Sequence, residues 1–214
     1  MDNIKAKIMP IPKGLNISGN MGFDPNLTKL PDELTVKGNL DLRNTNIDVI
    51  DSEYLYVEGN MYTGPETRQI KNCFIVDGDL DLRASENLWE LPEEFYVGGD
   101  LYLNNKNIKT LPENLQIVGK LILRDSGIVY LPDKRICPDS IDLSHSAIQI
   151  LPEKFVVYGD LNLSFTNLTD YPEEMVVLGN MDIRGTQLPA RREGVYVFGD
   201  IITNRGVIPY GENE

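Results

Sequence analysis

Cysteine and histidine are nearly missing from this chain of 214 residues: Cys73, Cys137 and His145 are all it has. A disulfide framework or a Cys/His zinc site needs more of these residues at closer spacing, so both are excluded. A catalytic triad drawing on several histidines is excluded too. Positive charge is also short, with 20 Lys and Arg against 33 Asp and Glu for a net charge of −13, which repels phosphate backbones and anionic membrane surfaces. Direct nucleic acid or membrane binding is therefore not expected. No run approaches the roughly 18 consecutive apolar residues of a membrane-spanning helix. The opening Met1-Asp2-Asn3-Ile4-Lys5-Ala6-Lys7 reaches Pro10 without an apolar signal core, and a cytoplasmic chain is expected. With 41% hydrophobic and 25% charged side chains, the composition is that of a globular protein in one compact unit.

The chain repeats itself. Taking Leu91-Pro92-Glu93-Glu94-Phe95-Tyr96-Val97-Gly98-Gly99-Asp100-Leu101-Tyr102-Leu103 as a template, earlier copies begin at Ile11, Leu30, Asp51 and Ile70. Later copies begin at Leu111, Leu131, Leu151, Tyr171 and, in degenerate form, Arg191. These ten coils of 19 to 21 residues mark a solenoid, because one coil cannot bury its own apolar face and must stack on its neighbours.

Numbered from its first residue, each coil carries two short apolar bursts of period 2, the pattern of strands and not of a helix. Positions 5 and 7 (Leu34 and Val36, Phe95 and Val97, Met175 and Val177) point inward, as does position 11 (Leu101, Leu121, Ile141, Leu161). Position 9 is glycine in every coil but the seventh, where Asp139 stands. Followed by Asn or Asp in most coils, it predicts a corner with a positive backbone dihedral and local side-chain hydrogen bonds. Proline at position 2 closes another corner. A column of Thr45, Ser126, Ser146, Thr166 and Thr186 is expected to satisfy the backbone of the irregular arc. The fold class is thus mainly β, a parallel β-solenoid of about ten coils with two parallel sheets and, at about 4.8 Å per coil, a rod of about 45 to 50 Å. Residues 11–203 form the single repeat domain, between a lead-in over 1–10 and a tail over 204–214.

Segments such as Gly99-Asp100-Leu101-Tyr102-Leu103-Asn104-Asn105-Lys106-Asn107-Ile108-Lys109-Thr110-Leu111-Pro112 resemble the short Leu-Pro leucine-rich repeats of bacterial effector proteins and the similar arrays of bacterial and phage proteins. The resemblance spans residues 11 to about 203. It implies a protein-binding scaffold with no cofactor, since such repeats serve mainly in protein recognition. The chain departs from the pattern where Ser and Thr stand in place of the asparagine ladder and a second strand precedes the glycine. Two sheets are therefore expected instead of a helix-backed horseshoe. Effector relatives that are enzymes carry a separate catalytic domain containing a cysteine, for which this chain has no residues to spare.

Function is sought on the outward positions. On the second sheet these read Asp41 and Arg43, Asp81 and Arg83, Tyr102 and Asn104, Ile122 and Arg124, Asp142 and Ser144, Asp182 and Arg184. Arg43, Arg83, Tyr102, Ile122, Arg124 and Arg184 form a secondary candidate face, against the plainer reading of a solvated surface with cross-strand ion pairs. On the first sheet the outward residues change from Asn16, Ser18, Thr35 and Lys37 to Val156, Tyr158, Val176, Leu178, Tyr196 and Phe198, joined by Val118 and Ile136. An apolar patch of this size calls for a cover. A protein partner is expected, with a two-fold homodimer favoured because one patch meeting its copy closes. The alternatives are a cap formed by Ile208-Pro209-Tyr210 or a shifted register.

Other signals have plain explanations. The row Asp79, Asp100, Asp160 and Asp200 belongs to turns before it belongs to calcium. His145, between Ser144 and Ser146, lacks an orienting group and an oxyanion site. Cys73 and Cys137 stand three coils, roughly 14 Å, apart, which excludes a bond between them. Trp89 reads as a packing or loop anchor. In coil seven, Arg135, Pro138 and Asp139 break the pattern, and a one-residue slip places Ile136 inward. The leading expectation is a non-enzymatic interaction scaffold. An acidic mimic of DNA and a carbohydrate-binding solenoid using Tyr56, Tyr62, Tyr96 and Tyr102 are the alternatives.

Overall fold

The computed structural model describes residues 4–6, 14–132 and 138–211. Among them every regular element is a strand, and the chain winds as a parallel β-solenoid of about nine turns with about 20 residues per turn. Ten coils in the sequence correspond to about nine turns because ten equivalent strands bound nine intervals. Those strands run from Met21–Phe23 to Ile201–Thr203 in the second sheet. Ile4–Ala6 adds a parallel strand beside Met21–Phe23, and Gly206–Ile208 turns back antiparallel on Ile201–Thr203, bringing that sheet to 12 strands.

First-sheet strands form a group of six, from Leu15–Ile17 to Asn114–Ile117, and a group of three, Lys154–Val157, Glu174–Val177 and Val195–Val197. The coil between them contains residues 133–137, so Arg135, Cys137 and the slip expected at Ile136 lie outside the described residues. A third side of the coil, not foreseen, carries the short pair Val49–Ile50 and Gln69–Ile70.

The inward columns are as expected. Leu101, Leu121, Ile141 and Leu161 are buried in an unbroken row, in register from strand to strand. Leu103, Leu123, Leu143 and Leu163 form a second buried row two residues on, since alternate side chains of a strand share a face.

The glycine corner works differently from expectation. Positive φ values among the described glycines occur at Gly14, Gly185, Gly194, Gly206 and Gly211, and not at the position-9 residues. What glycine supplies there is closeness. Gly99 N–H donates to Gly78 O at 2.9 Å and Gly119 N–H to Gly99 O at 3.1 Å. A Cβ on Gly119 would stand 2.5 Å from the carbonyl of Gly99. Positive φ falls instead at position 15, in Asp125, His145, Phe165 and Gly185.

The Asn and Asp that follow the glycines are not local caps either. Asn20 Oδ1 accepts the Asn39 N–H at 2.8 Å, Asn39 that of Asn60, Asn60 that of Asp79, Asp79 that of Asp100, and Asp100 that of Lys120. Each bond reaches 19 to 21 residues, to the next coil. An Asn/Asp ladder therefore exists at the glycine corner. The threonines at position 16 do bond locally, Thr45 to Leu42 O and Thr166 to Leu163 O at 2.8 Å and Thr186 to Ile183 O at 2.7 Å, whereas the buried Ser126 Oγ has no hydrogen-bond partner and departs from the expectation.

Candidate interaction faces

Regular alternation in the last three coils places the first-sheet candidates outside. Val156, Val176 and Tyr196 align across neighbouring strands, as do the buried Val157, Val177 and Val197 beside them. Tyr158, Leu178, Tyr196 and Phe198 are 50%, 45%, 60% and 50% exposed, while Val156 and Val176 are half-buried. The side chains cannot turn inward without a register shift that would expose the valines. Val118 is also exposed, but two coils away; Ile136 lies outside the described residues.

The described tail residues, up to Gly211, touch the strip at Phe198 and leave Tyr158, Leu178 and Tyr196 exposed. Gly206–Ile208 lies on the edge of the second sheet, and Tyr210 then stacks on Phe198 with ring centroids 6.3 Å apart. Its N–H donates to Asp200 Oδ1 at 3.1 Å, continuing the corner ladder. Tyr210 thereby extends the apolar strip over the end of the rod, where an open cavity of about 670 Å³ is lined by Val195, Phe198 and Tyr210 together with Arg191, Arg192 and Glu193.

Acidic residues border the strip on both sides. Glu153, Glu173, Glu174 and Glu193 are exposed where the strands begin, and Asp160 and Asp200 stand at the glycine corner. Lys154 is paired with Glu174 at 3.5 Å. Arg192 is paired with Asp170 at 3.3 Å and donates to Tyr171 O and Pro172 O. Arg191 is exposed at the final coil.

The secondary candidate face is internally satisfied. Arg43 grips Asp41 through Nε at 2.9 Å and Nη2 at 2.6 Å; Arg83 grips Asp81 at 3.0 and 2.7 Å; Arg184 grips Asp182 at 3.0 and 2.6 Å. These pairs lie two residues apart in one coil, not across strands as expected, because positions 12 and 14 project from the same face. Between coils the contact is Arg on aromatic ring: Arg43 lies 4.5 Å from the centroid of Tyr62, and Arg83 4.7 Å from that of Tyr102. Hydrogen bonding from Arg43 holds the Asp41 carboxyl below its ordinary value. Burial pushes Asp81 upward, but the hydrogen bonds and charge of Arg83 outweigh it and leave that carboxyl lowered as well. Arg124 pairs with Asp125 at 3.4 Å, and Ile122 is half-buried. Ser144, expected outward, is buried, and its Oγ has no hydrogen-bond partner.

The proposed sugar platforms do not converge, since Tyr62 and Tyr102 lie on the second sheet and Tyr56 and Tyr96 on the first. The Tyr56 hydroxyl donates to Asp77, which pushes its pKa up to about 12. Asp79, Asp100 and Asp160 use Oδ1 to accept backbone N–H groups, and no cluster of three or more metal-ligating side chains occurs among the described residues.

The backbone N–H of His145 donates to Ser164 O at 3.0 Å, and its side chain faces an aromatic ring. The imidazole stacks on Phe165 at 4.7 Å, and the Phe165 ring occupies the space a Cβ on Gly185 would take. Only the 20-residue spacing of His145, Phe165 and Gly185 hints at this column in the sequence. Trp89, expected as an anchor, is 56% exposed, and Cys73 is an exposed free thiol. No helix among the described residues is long and apolar enough to cross a membrane. No family model, curated protein or solved structure matches the chain.

Proposed function

We propose that this chain is a non-enzymatic protein-binding scaffold of the short leucine-rich-repeat kind, working in the cytoplasm and docking its partner on the last three coils of the first sheet. The observation that carries this reading is the exposed row Tyr158, Leu178, Tyr196 and Phe198 beside buried Val157, Val177 and Val197, an apolar surface that nothing in its own coils can cover. Aromatic side chains supply large contact area at little entropic cost, which suits them as anchors. The second sheet supports the reading by contrast, because its charges and rings are already engaged with one another. For the same reason a DNA mimic is not favoured: arginines neutralise Asp41, Asp81 and Asp182 on that face. The reading itself requires only that a protein surface meets the strip from outside.

The test is a Leu178→Asp/Phe198→Asp double variant. Its thermal midpoint and circular dichroism are expected to match the parent, while protein binding through the strip is lost. A variant that binds everything the parent binds would refute the proposal.

A further inference from the structure

We infer that the occupant of the first-sheet strip is a basic protein surface, an apolar ridge bordered by Lys or Arg, and not a second copy of this chain. The inference rests on the reading of the strip as a docking face and names the chemistry of its partner. The first argument is area. Tyr158, Leu178, Tyr196, Phe198 and Tyr210 are between 45% and 60% exposed. At about half of the 150–250 Å² an aromatic side chain can bury, the four rings offer on the order of 400 Å², to which Leu178 adds a smaller share. A stable interface of ordinary size takes about 800 Å² from each partner. The remainder must come from the border of the strip.

That border is acidic on both sides, and its symmetry decides the matter. If two copies meet face to face about a two-fold axis parallel to the strands, the edge carrying Glu153, Glu173 and Glu193 lies against itself, and so does the edge carrying Asp160 and Asp200. If the axis runs along the rod, the Glu edge lies against the Asp edge. Carboxylates meet carboxylates either way. Lys154 and Arg192 do not relieve this, since each already holds a carboxylate of its own chain, and Arg191 lies at the cavity of the end coil beside Glu193, away from the Glu153 and Glu173 border. A partner with Lys or Arg around an apolar ridge turns the same border from a penalty into an attraction, and the net charge of −13 speeds its approach. The cavity of about 670 Å³ beyond Phe198 gives that ridge a place for one large apolar side chain.

The test uses the full chain and two labelled synthetic amphipathic peptides with the same Leu/Phe face, one bordered by Lys and the other by Glu. Fluorescence anisotropy is read at about 50 and about 300 mM salt, where exposed charges are screened to different degrees. The Lys-bordered peptide is expected to bind at least about 10-fold more tightly than the Glu-bordered one, with the advantage shrinking at the higher salt. A Glu153→Gln/Glu173→Gln/Glu193→Gln variant is expected to lose most of that preference, and Leu178→Asp/Phe198→Asp to lose binding of both peptides. Sedimentation of the chain alone is expected to give a 24.1 kDa monomer. Equal binding of the two peptides, no binding of the Lys-bordered one, or a dimer that the Asp variant dissociates would overturn the basic-partner inference while leaving the strip as a docking face. Lys-peptide binding undiminished in the Asp variant would overturn both.

Discussion

On the second sheet Asp41, Asp81 and Asp182 each hold the arginine two residues further on, and two of those guanidinium groups lie over Tyr62 and Tyr102. On the last three coils of the first sheet, Tyr158, Leu178 and Tyr196 face outward in comparable numbers with no such mutual arrangement, and only Phe198 has an aromatic neighbour, Tyr210. Each surface backs on its own buried column of one common core, Leu101, Leu121, Ile141 and Leu161 behind the second sheet and Val157, Val177 and Val197 behind the first. The difference teaches that in a solenoid the inward positions carry the fold, while the outward positions are free to satisfy one another or to wait for something else.

The comparison breaks most forcefully at the shared interior. Leu121→Ala, which empties the middle of the row Leu101–Leu121–Ile141–Leu161, is expected to cost about 2–5 kcal/mol of stability in denaturant unfolding, as a buried cavity does. An unchanged midpoint would mean that the two faces do not share one core.

Next comes the corner between the sheets. Gly119→Ala places a Cβ 2.5 Å from the Gly99 carbonyl, and the overpacking is expected to cost about 1–3 kcal/mol, read in the same way. A neutral outcome would return the glycines to a purely local turn role.

The second sheet itself is sharpened by pH. Asp41 and Asp81 have folded values below the unfolded carboxyl value of about 3.9, so their stabilisation is present above that pH and is lost as pH falls through it toward the folded values. The arginines are half exposed, which limits each pair to about 1 kcal/mol or less. Arg83→Met is expected to flatten this acid dependence by roughly the share of one pair, measured by thermal unfolding between about pH 6 and pH 3. An identical acid profile in parent and variant would deny the pair any energetic role.

The smallest effect belongs to the first-sheet strip. Leu178→Asp/Phe198→Asp is expected to shift stability by less than about 0.5 kcal/mol, since both side chains stand outside the coil. A large loss of stability would make the strip part of the core and end its candidacy as a docking face.

The interior was legible in the sequence because burial leaves a periodic trace: Leu101, Leu121, Ile141 and Leu161 recur every 20 residues, and Phe155 and Val157 alternate with Val156 and Tyr158. The strip was legible for the same reason, since the residue opposite an inward one must face out. The corner was misread. A Gly-Asp pair has a local explanation as a turn, and nothing within one coil reveals that Asp79 accepts its hydrogen bond from Asp100 or that Gly119 must admit the backbone of Gly99. The arginines were likewise given cross-strand partners, whereas each folds back on the aspartate of its own coil.

By itself, then, the sequence determined the coil length, the inward columns, the two principal strand faces and the place where apolar residues come to the surface. These follow from the period of hydrophobicity, which is written along the chain. The tertiary structure alone decided the stacked glycine backbones, the Asn/Asp ladder, Arg43 and Arg83 on their tyrosines, and the course of the tail that puts Tyr210 on Phe198 and leaves the strip open. Such contacts join groups about 20 residues apart, or from the end of the chain, whose distance is set only when one coil settles on the next.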